Sequence, residues 1–272
     1  MSKVVLITGA ASGLGRELAL KYGAAGCSVC VADIHQQRGE ETVELLAAIG
    51  CDAIFQSLDV RLLEDFERAK DVMLLRWGRV DCVINNAGVA SVGSFEDTPL
   101  DTWDWMLAIN LLGPVKGCKV FTPLFKQQAI GQFINIASMA GLINAPGMAE
   151  YNVAKAGLVA LSETLSSELK PYGIATSVVC PAFFSTNLGD SLRSTNTVSK
   201  EIFNKLLKDD DLNAEQIATF IMAEAEKKTF LILPHKKAAA SYQLKQKNPE
   251  AFYQEMLRIA QSNASKLDLQ DK

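Results

Sequence analysis

The sequence predicts a single doubly wound α/β domain, and three observations carry that prediction. Short, β-branched apolar runs alternate with helical patterns along most of the chain. The runs are continuous rather than alternating, as in strands covered on both faces. The first run passes straight into a glycine-rich turn and a helix, the way an open parallel sheet begins.

In order, the strands are KVVLIT (3–8), SVCVAD (28–33), DAIFQSLD (52–59), VDCVINN (80–86), QFINIAS (132–138), ATSVVCP (175–181) and FLIL (230–233). Helical patterns lie between them near 13–25, 36–49, 61–76, 101–127, 150–170 and 214–227. Right-handed crossovers then give about seven mostly parallel strands with helices on both faces. No repeat, low-complexity tract or long linker interrupts the pattern. Residues 1–235 therefore read as the domain and 236–272 as a helical extension of it. Pro249 is placed to start a helix, with Phe252, Tyr253, Met256, Leu257 and Ile259 on its apolar side and Lys236, Lys237, Lys245 and Lys247 before it. Such a tail fits a helix packed on the domain or on a sister subunit, a lid over an apolar substrate, or a peripheral membrane contact.

The composition narrows the function classes. The 272 residues are 49% hydrophobic and 21% charged, with a net charge of −4. That gives no basic footprint for nucleic acid. The start, MSKVVLITGA, enters a strand without a cationic leader. Residues 127–149 carry no charge, but their Gln, Asn, Ser, Pro and Gly argue against a spanning helix. Cys27 and Cys30 form a C-x-x-C within a strand, where residues three apart face opposite sides. No second pair completes a metal set, so the six cysteines read as free thiols in a reducing cytoplasm. His35 and His235, the only histidines, read as loop residues.

The first strand–helix turn, ITGAASGLGRELAL, places Gly9, Gly13 and Gly15 where a diphosphate can approach the backbone. The helix N-terminus there offers free N–H groups and a positive dipole end. The second strand ends at Asp33, about 20 residues on, where a carboxylate can accept hydrogen bonds from a ribose diol. It would repel a 2′-phosphate, and Ile34 beside it offers no cation. NAD is therefore expected over NADP, with Arg16 and Arg38 close enough in sequence to keep that choice open.

Tyr151 and Lys155 stand four apart at the start of a helical run, so they share one face. SLDV, INNAGV and INIASMAG end the third, fourth and fifth strands on the ligand-binding side of the sheet. With T-G-x-x-x-G-x-G at 8–15, N-N-A-G at 85–88, Asn110, Ser138 and Y-x-x-x-K at 151–155, the chain resembles the short-chain dehydrogenase/reductase family over roughly residues 3–233. The resemblance implies a Rossmann-type fold and NAD(H)-dependent interconversion of a secondary alcohol and a ketone. Tyr151 would be the general acid/base, Lys155 its activator, Ser138 the substrate orienter and Asn110 the support of a proton-relay water. By the same resemblance Ser12 and Leu14 would join the glycines at the coenzyme, Asp59 and Val60 would flank adenine, and Asn86, Ala87 and Gly88 would line the cleft. CPAFFSTNL resembles the family's P-G-x-V-x-T, with Pro181 and Thr186 in place, Phe184 for Val and Ala182 for Gly; the family's segment holds the carboxamide.

A phenol has a pKa near 10, too high for a base at neutral pH. An ammonium about 5 Å away at an effective dielectric of about 20 contributes roughly 3 kcal/mol toward lowering it. The expectation is that Lys155 alone nearly makes Tyr151 a usable base. Phe183, Phe184, Leu188, Leu192, Phe203, Leu206 and Leu207 imply an apolar wall, hence a lipophilic substrate of steroid, retinoid-like or acyl-chain type. A 3-oxoacyl-thioester ketoreductase and a non-catalytic dinucleotide-sensing module are the competing readings. The resemblance also implies a homodimer or homotetramer, joined through the helices at 101–127 and 150–170.

Overall fold

The computed structural model describes residues 2–184, 189, 191–208 and 212–268. Its main sheet contains β1 (Val4–Thr8), β2 (Ser28–Asp33), β3 (Ala53–Ser57), β4 (Cys82–Asn85), β6 (Gly131–Ile136), β7 (Ile174–Val179) and β9 (Leu231–Ile232). All seven are parallel, in the order β3-β2-β1-β4-β6-β7-β9. A short second sheet pairs β5 (Ser91–Val92) with β8 (Arg193–Ser194).

The continuous apolar strands do what their pattern requires. Val5, Ile7, Val29 and Val31 face one core, while Val4, Leu6, Cys30 and Ala32 face the other. The first core is covered by α1 (Gly13–Ala24), α2 (Gln36–Ala48) and α9 (Ala214–Glu226), and the second by α3 (Leu63–Trp77), α5 (Leu112–Gln128) and α7 (Ala149–Leu169). Cys27 lies in the first core and Cys30 in the second. The described cysteines are all free, and no cluster of metal-ligating side chains occurs among the described residues. No described helix is long and apolar enough to cross a membrane; the uncharged 127–149 stretch supplies β6 and the short α6 (Ala140–Ile143) instead.

The single helix expected over 101–127 is two, α4 (Leu100–Asn110) and α5, broken at Leu111 with φ −119° and ψ −60°. The cause is Pro114. Its ring crowds the carbonyl four residues back, which is that of Asn110, and it has no N–H to give that carbonyl. Beyond β8 the chain continues through α8 (Thr197–Lys208), which ends before the stretch outside the described residues. The tail forms α10 (Lys236–Lys247) and α11 (Pro249–Asp268). Ala238 and Tyr242 of α10 pack on Leu142, Leu158 and Val159, and Lys245 donates to the Leu142 carbonyl at 2.7 Å. Phe252 is buried on α11, whereas Tyr253, Leu257 and Ile259 face outward.

Candidate active site

The strand order reverses across β1 and β4, which carry the chain to opposite sides of the sheet, and a cleft of about 540 Å³ opens at their carboxyl ends. That size is usual for a small-molecule site. At one end lies the glycine turn. Gly9 has φ +67° and Gly13 φ +52°, a region that favours glycine. A Cβ on Gly15 would overlap the Gly9 carbonyl and lie 2.6 Å from Asn86 Nδ2. Helix α1 starts there with no side-chain cap from Ser12 and no acidic residue in its first turn. Its leading N–H groups are thus presented to an anion.

The turn is tied to the loop after β4. Thr8 Oγ1 accepts from the backbone N–H groups of Asn86 and Ala87 at 3.0 and 3.1 Å. Asn86 Nδ2 donates to the carbonyls of Thr8 and Gly9 at 2.9 and 3.2 Å. Asp33, nearly buried, closes this end, accepting from the N–H groups of Ala11 and His35 at 3.0 Å each. Arg16 is committed elsewhere: it donates to the Ala11 carbonyl at 2.6 Å and to Thr42 Oγ1 at 3.1 Å, and lies 3.7 Å from Glu41. Arg38 and the exposed Ile34 line the cleft beside Asp33. These features fit a dinucleotide: a glycine cradle, an uncapped helix start and a carboxylate at the end of β2 that lines the same cleft. Leu14, Asp59, Val60 and Gly88 also line the cleft. Asp59 carries a salt bridge to Arg61 at 2.5 Å, which holds its carboxyl below the ordinary range.

At the other end β6, β7 and α7 bring the polar groups together. Ser138, Tyr151 and Lys155 all line the cleft, and all three are buried. Lys155 Nζ donates to the Ile136 carbonyl at 2.9 Å and lies 5.7 Å from the centre of the Tyr151 ring. Ser138 Oγ accepts from the Ala140 N–H at 3.1 Å. A methyl at Gly88 would sit 3.2 Å from Asn110 Oδ1 and 3.6 Å from Lys155 Nζ, so Asn110 adjoins the same point. Its side chain is spent on Val89, accepting from the N–H at 2.9 Å and donating to the carbonyl at 2.8 Å. The group of Asn110 left for the water that the resemblance implies is its main-chain carbonyl, to which Pro114 has no N–H to give.

The electrostatics differ from the sequence-based expectation. Burial pushes the Tyr151 phenol up to about 12, opposed by the neighbouring Ser138 hydroxyl. Burial also brings the Lys155 ammonium down to about 8. Lysine does not by itself bring the phenol near neutrality, because removing both groups from water disfavours both charges. Cys180 behind them is likewise pushed up to about 12, mainly by burial, and stays a neutral thiol.

Pro181 and Phe184 reach the cleft with Ala182 and Phe183 between them. Thr186 and Leu188 lie outside the described residues. Sequence reasoning missed Trp105 and Ile109, which line the cleft from α4. Their i, i+4 spacing was a readable signal. It also missed Val89 and the burial of His235, which stands as expected in the loop just ahead of α10. Phe203 of α8 packs edge-on to Phe183, with ring centres 5.5 Å apart, in a cluster with Met106, Met148 and Tyr151. Leu192 adjoins the same cluster.

Residues 3–197 match the family model for short chain dehydrogenase. The chain belongs to the short-chain dehydrogenase family of oxidoreductases. An uncharacterized oxidoreductase of Thermotoga maritima is 38% identical over 179 residues, covering 66% of this chain and 70% of that one. The trans-4-hydroxycyclohexanecarboxylate dehydrogenase of Sinomonas cyclohexanicum is 36% identical, covering 70% and 76%. Among solved structures, a short-chain dehydrogenase/reductase from Burkholderia phymatum in complex with NAD superposes with a TM-score of 0.87 at 30% identity, covering 92% of this chain and 95% of that one.

Proposed function

We propose that this dehydrogenase interconverts a lipophilic secondary alcohol and a ketone with NAD(H). The observation that carries the reading is the convergence of Ser138, Tyr151 and Lys155 at one end of a cleft whose other end is closed by Asp33. NADH, when bound, supplies the hydride for the carbonyl carbon. Tyr151 gives its proton to the carbonyl oxygen. Ser138 donates a hydrogen bond to the same oxygen, favouring the charge that develops there. Lys155 stabilises the phenolate left on Tyr151, and the Asn110 carbonyl anchors the water through which the proton is restored. In the oxidising direction each transfer reverses.

The walls support an apolar substrate: Val89, Trp105, Ile109, Phe183 and Phe184 face the cleft. Asp33 supports NAD, as does the NAD complex of the Burkholderia neighbour. The Sinomonas relative is by name a dehydrogenase of a secondary alcohol. Asp33 also stands against an NADPH-dependent 3-oxoacyl-thioester ketoreductase, and the assembled Ser138–Tyr151–Lys155 set against a purely sensing module. A panel of lipophilic and polar alcohols with NAD, run beside Tyr151→Phe, tests the proposal. Turnover of lipophilic members that vanishes in Tyr151→Phe, with NADH binding nearly unchanged, is expected. Exclusive use of polyols would remove the substrate class, and substantial turnover by Tyr151→Phe would remove the mechanism.

A further inference from the structure

We infer that His235, the residue that leads into the C-terminal extension, is a positioning residue for the coenzyme: it fixes the backbone of Ala182–Phe184. The inference rests on the NAD(H) reading above and deepens it.

The segment after β7 is held from two sides. From the β6 side, the Met139 N–H donates to the Pro181 carbonyl at 2.9 Å. From the β9 side, the Ala182 N–H donates to His235 Nδ1 at 3.1 Å. His235 is 5% exposed, and its ring lies 6.0 Å from that of Phe184 at 35°. Phe184 is itself buried in the core beneath the cleft. One side chain thus grips both ends of a three-residue stretch that lines the cleft.

Two further observations separate this from ordinary packing. His235 occupies the N-cap of α10, yet its side chain makes no capping bond to that helix. The acceptor an N-cap would spend on its own helix is directed across to another segment. Position 182 is also where the chain departs from the resembled P-G pattern, carrying a Cβ that glycine lacks. Glycine would leave the backbone there freer, whereas Ala182 held by an imidazole is confined. His235 is anchored in turn, because its carbonyl accepts from the Ala239 N–H at 2.9 Å. Coenzyme affinity is thereby made to depend on the docking of α10.

The geometry supplies its own control. Asn places an oxygen where His places Nδ1, whereas Leu has the same branching and no acceptor, and Gln moves its acceptor one bond outward. NADH fluorescence titration of the full-length chain should give a Kd raised about fivefold to tenfold in His235→Leu, the range one lost hydrogen bond accounts for. His235→Asn should stay within about twofold of wild type. If His235→Leu does not fold, His235→Gln takes its place, with a raised Kd expected. Leu or Gln variants that bind NADH like wild type, or an Asn variant as weak as Leu, would overturn the inference. Wild-type protein that fails to bind NADH would instead overturn the coenzyme reading itself.

Discussion

Lys155→Met is the sharpest perturbation of this site, because it removes a charge and keeps most of the side-chain volume. The ammonium lies 5.7 Å from the Tyr151 ring centre in a buried environment. At an effective dielectric of about 20, that separation gives roughly 3 kcal/mol of attraction for a phenolate, or about 100-fold in rate for the step that creates or uses it. The assay is single-turnover loss of NADH absorbance with a ketone in excess, so that product release does not mask the chemical step. The pH dependence adds a second signature. Lys155 is charged below about 8 and neutral above it, so the wild-type rate should fall as pH rises through about 8, and this limb should be absent in Lys155→Met. Stability runs the other way. The lowered proton affinity costs the fold roughly 3 kcal/mol, at about 1.4 kcal/mol per tenfold. This cost is fully present below about 8 and is relieved as pH rises toward the ordinary lysine value. The variant should therefore lose rate without losing Tm at pH 7, even though the Ile136 carbonyl forfeits a donor. A rate within threefold of wild type would refute the electrostatic role assigned to Lys155.

Gly15→Ala should abolish measurable NADH binding, since its methyl meets the Gly9 carbonyl, backbone that cannot swing aside as the Asn86 side chain could; retained affinity in the same titration would contradict the cradle. Asp33→Asn should narrow the preference for NAD over NADP by roughly tenfold or more, through loss of a charge that repels a 2′-phosphate; unchanged KM ratios would free Asp33 of that role. The full-length chain should scatter light as a dimer or tetramer, because Leu112 of α5 and Val153 of α7 are about half exposed; a monomer would dispose of those faces as an interface. Adding anionic vesicles to the same sample checks whether the outward Tyr253 and Leu257 of α11 make a membrane contact, and absence of co-sedimentation would leave the tail to the protein alone.

The parts of this molecule that could be read in advance are those in which one residue type answers one physical demand. Unbroken apolar runs such as VVLIT are required where a strand is covered on both faces, and each run identified a strand of the parallel sheet. The glycines of the first turn and the i, i+4 pair at 151 and 155 were legible for the same reason: backbone approach and helix geometry admit few alternatives. What stayed hidden depended on partners distant in sequence. The break at Leu111 is the exception, because Pro114, three residues on, was a local signal that the reading of one helix passed over. The burial of His235 could not be read until Ala182, 53 positions away, was placed against it. The β5–β8 pairing links segments about 100 residues apart through two residues each, too few to leave a periodic trace.

The least legible property was the charge state of the Tyr151–Lys155 pair, and it changes how the proposed chemistry is understood. Proximity alone argues that a lysine lowers the phenol's pKa. Burial acts on both groups at once and drives them apart, the phenol to about 12 and the ammonium to about 8. At pH 7 the resting pair is therefore a neutral tyrosine beside a lysine that still holds its proton. This is the correct state for giving a proton to a carbonyl. The ammonium contributes little until phenolate develops, and in a poorly solvated cleft its attraction for that charge is stronger than it would be in water. In the proposed mechanism desolvation thus reserves the lysine's influence for the moment of proton transfer, which is what separates acceleration of a reaction from tighter holding of its substrate.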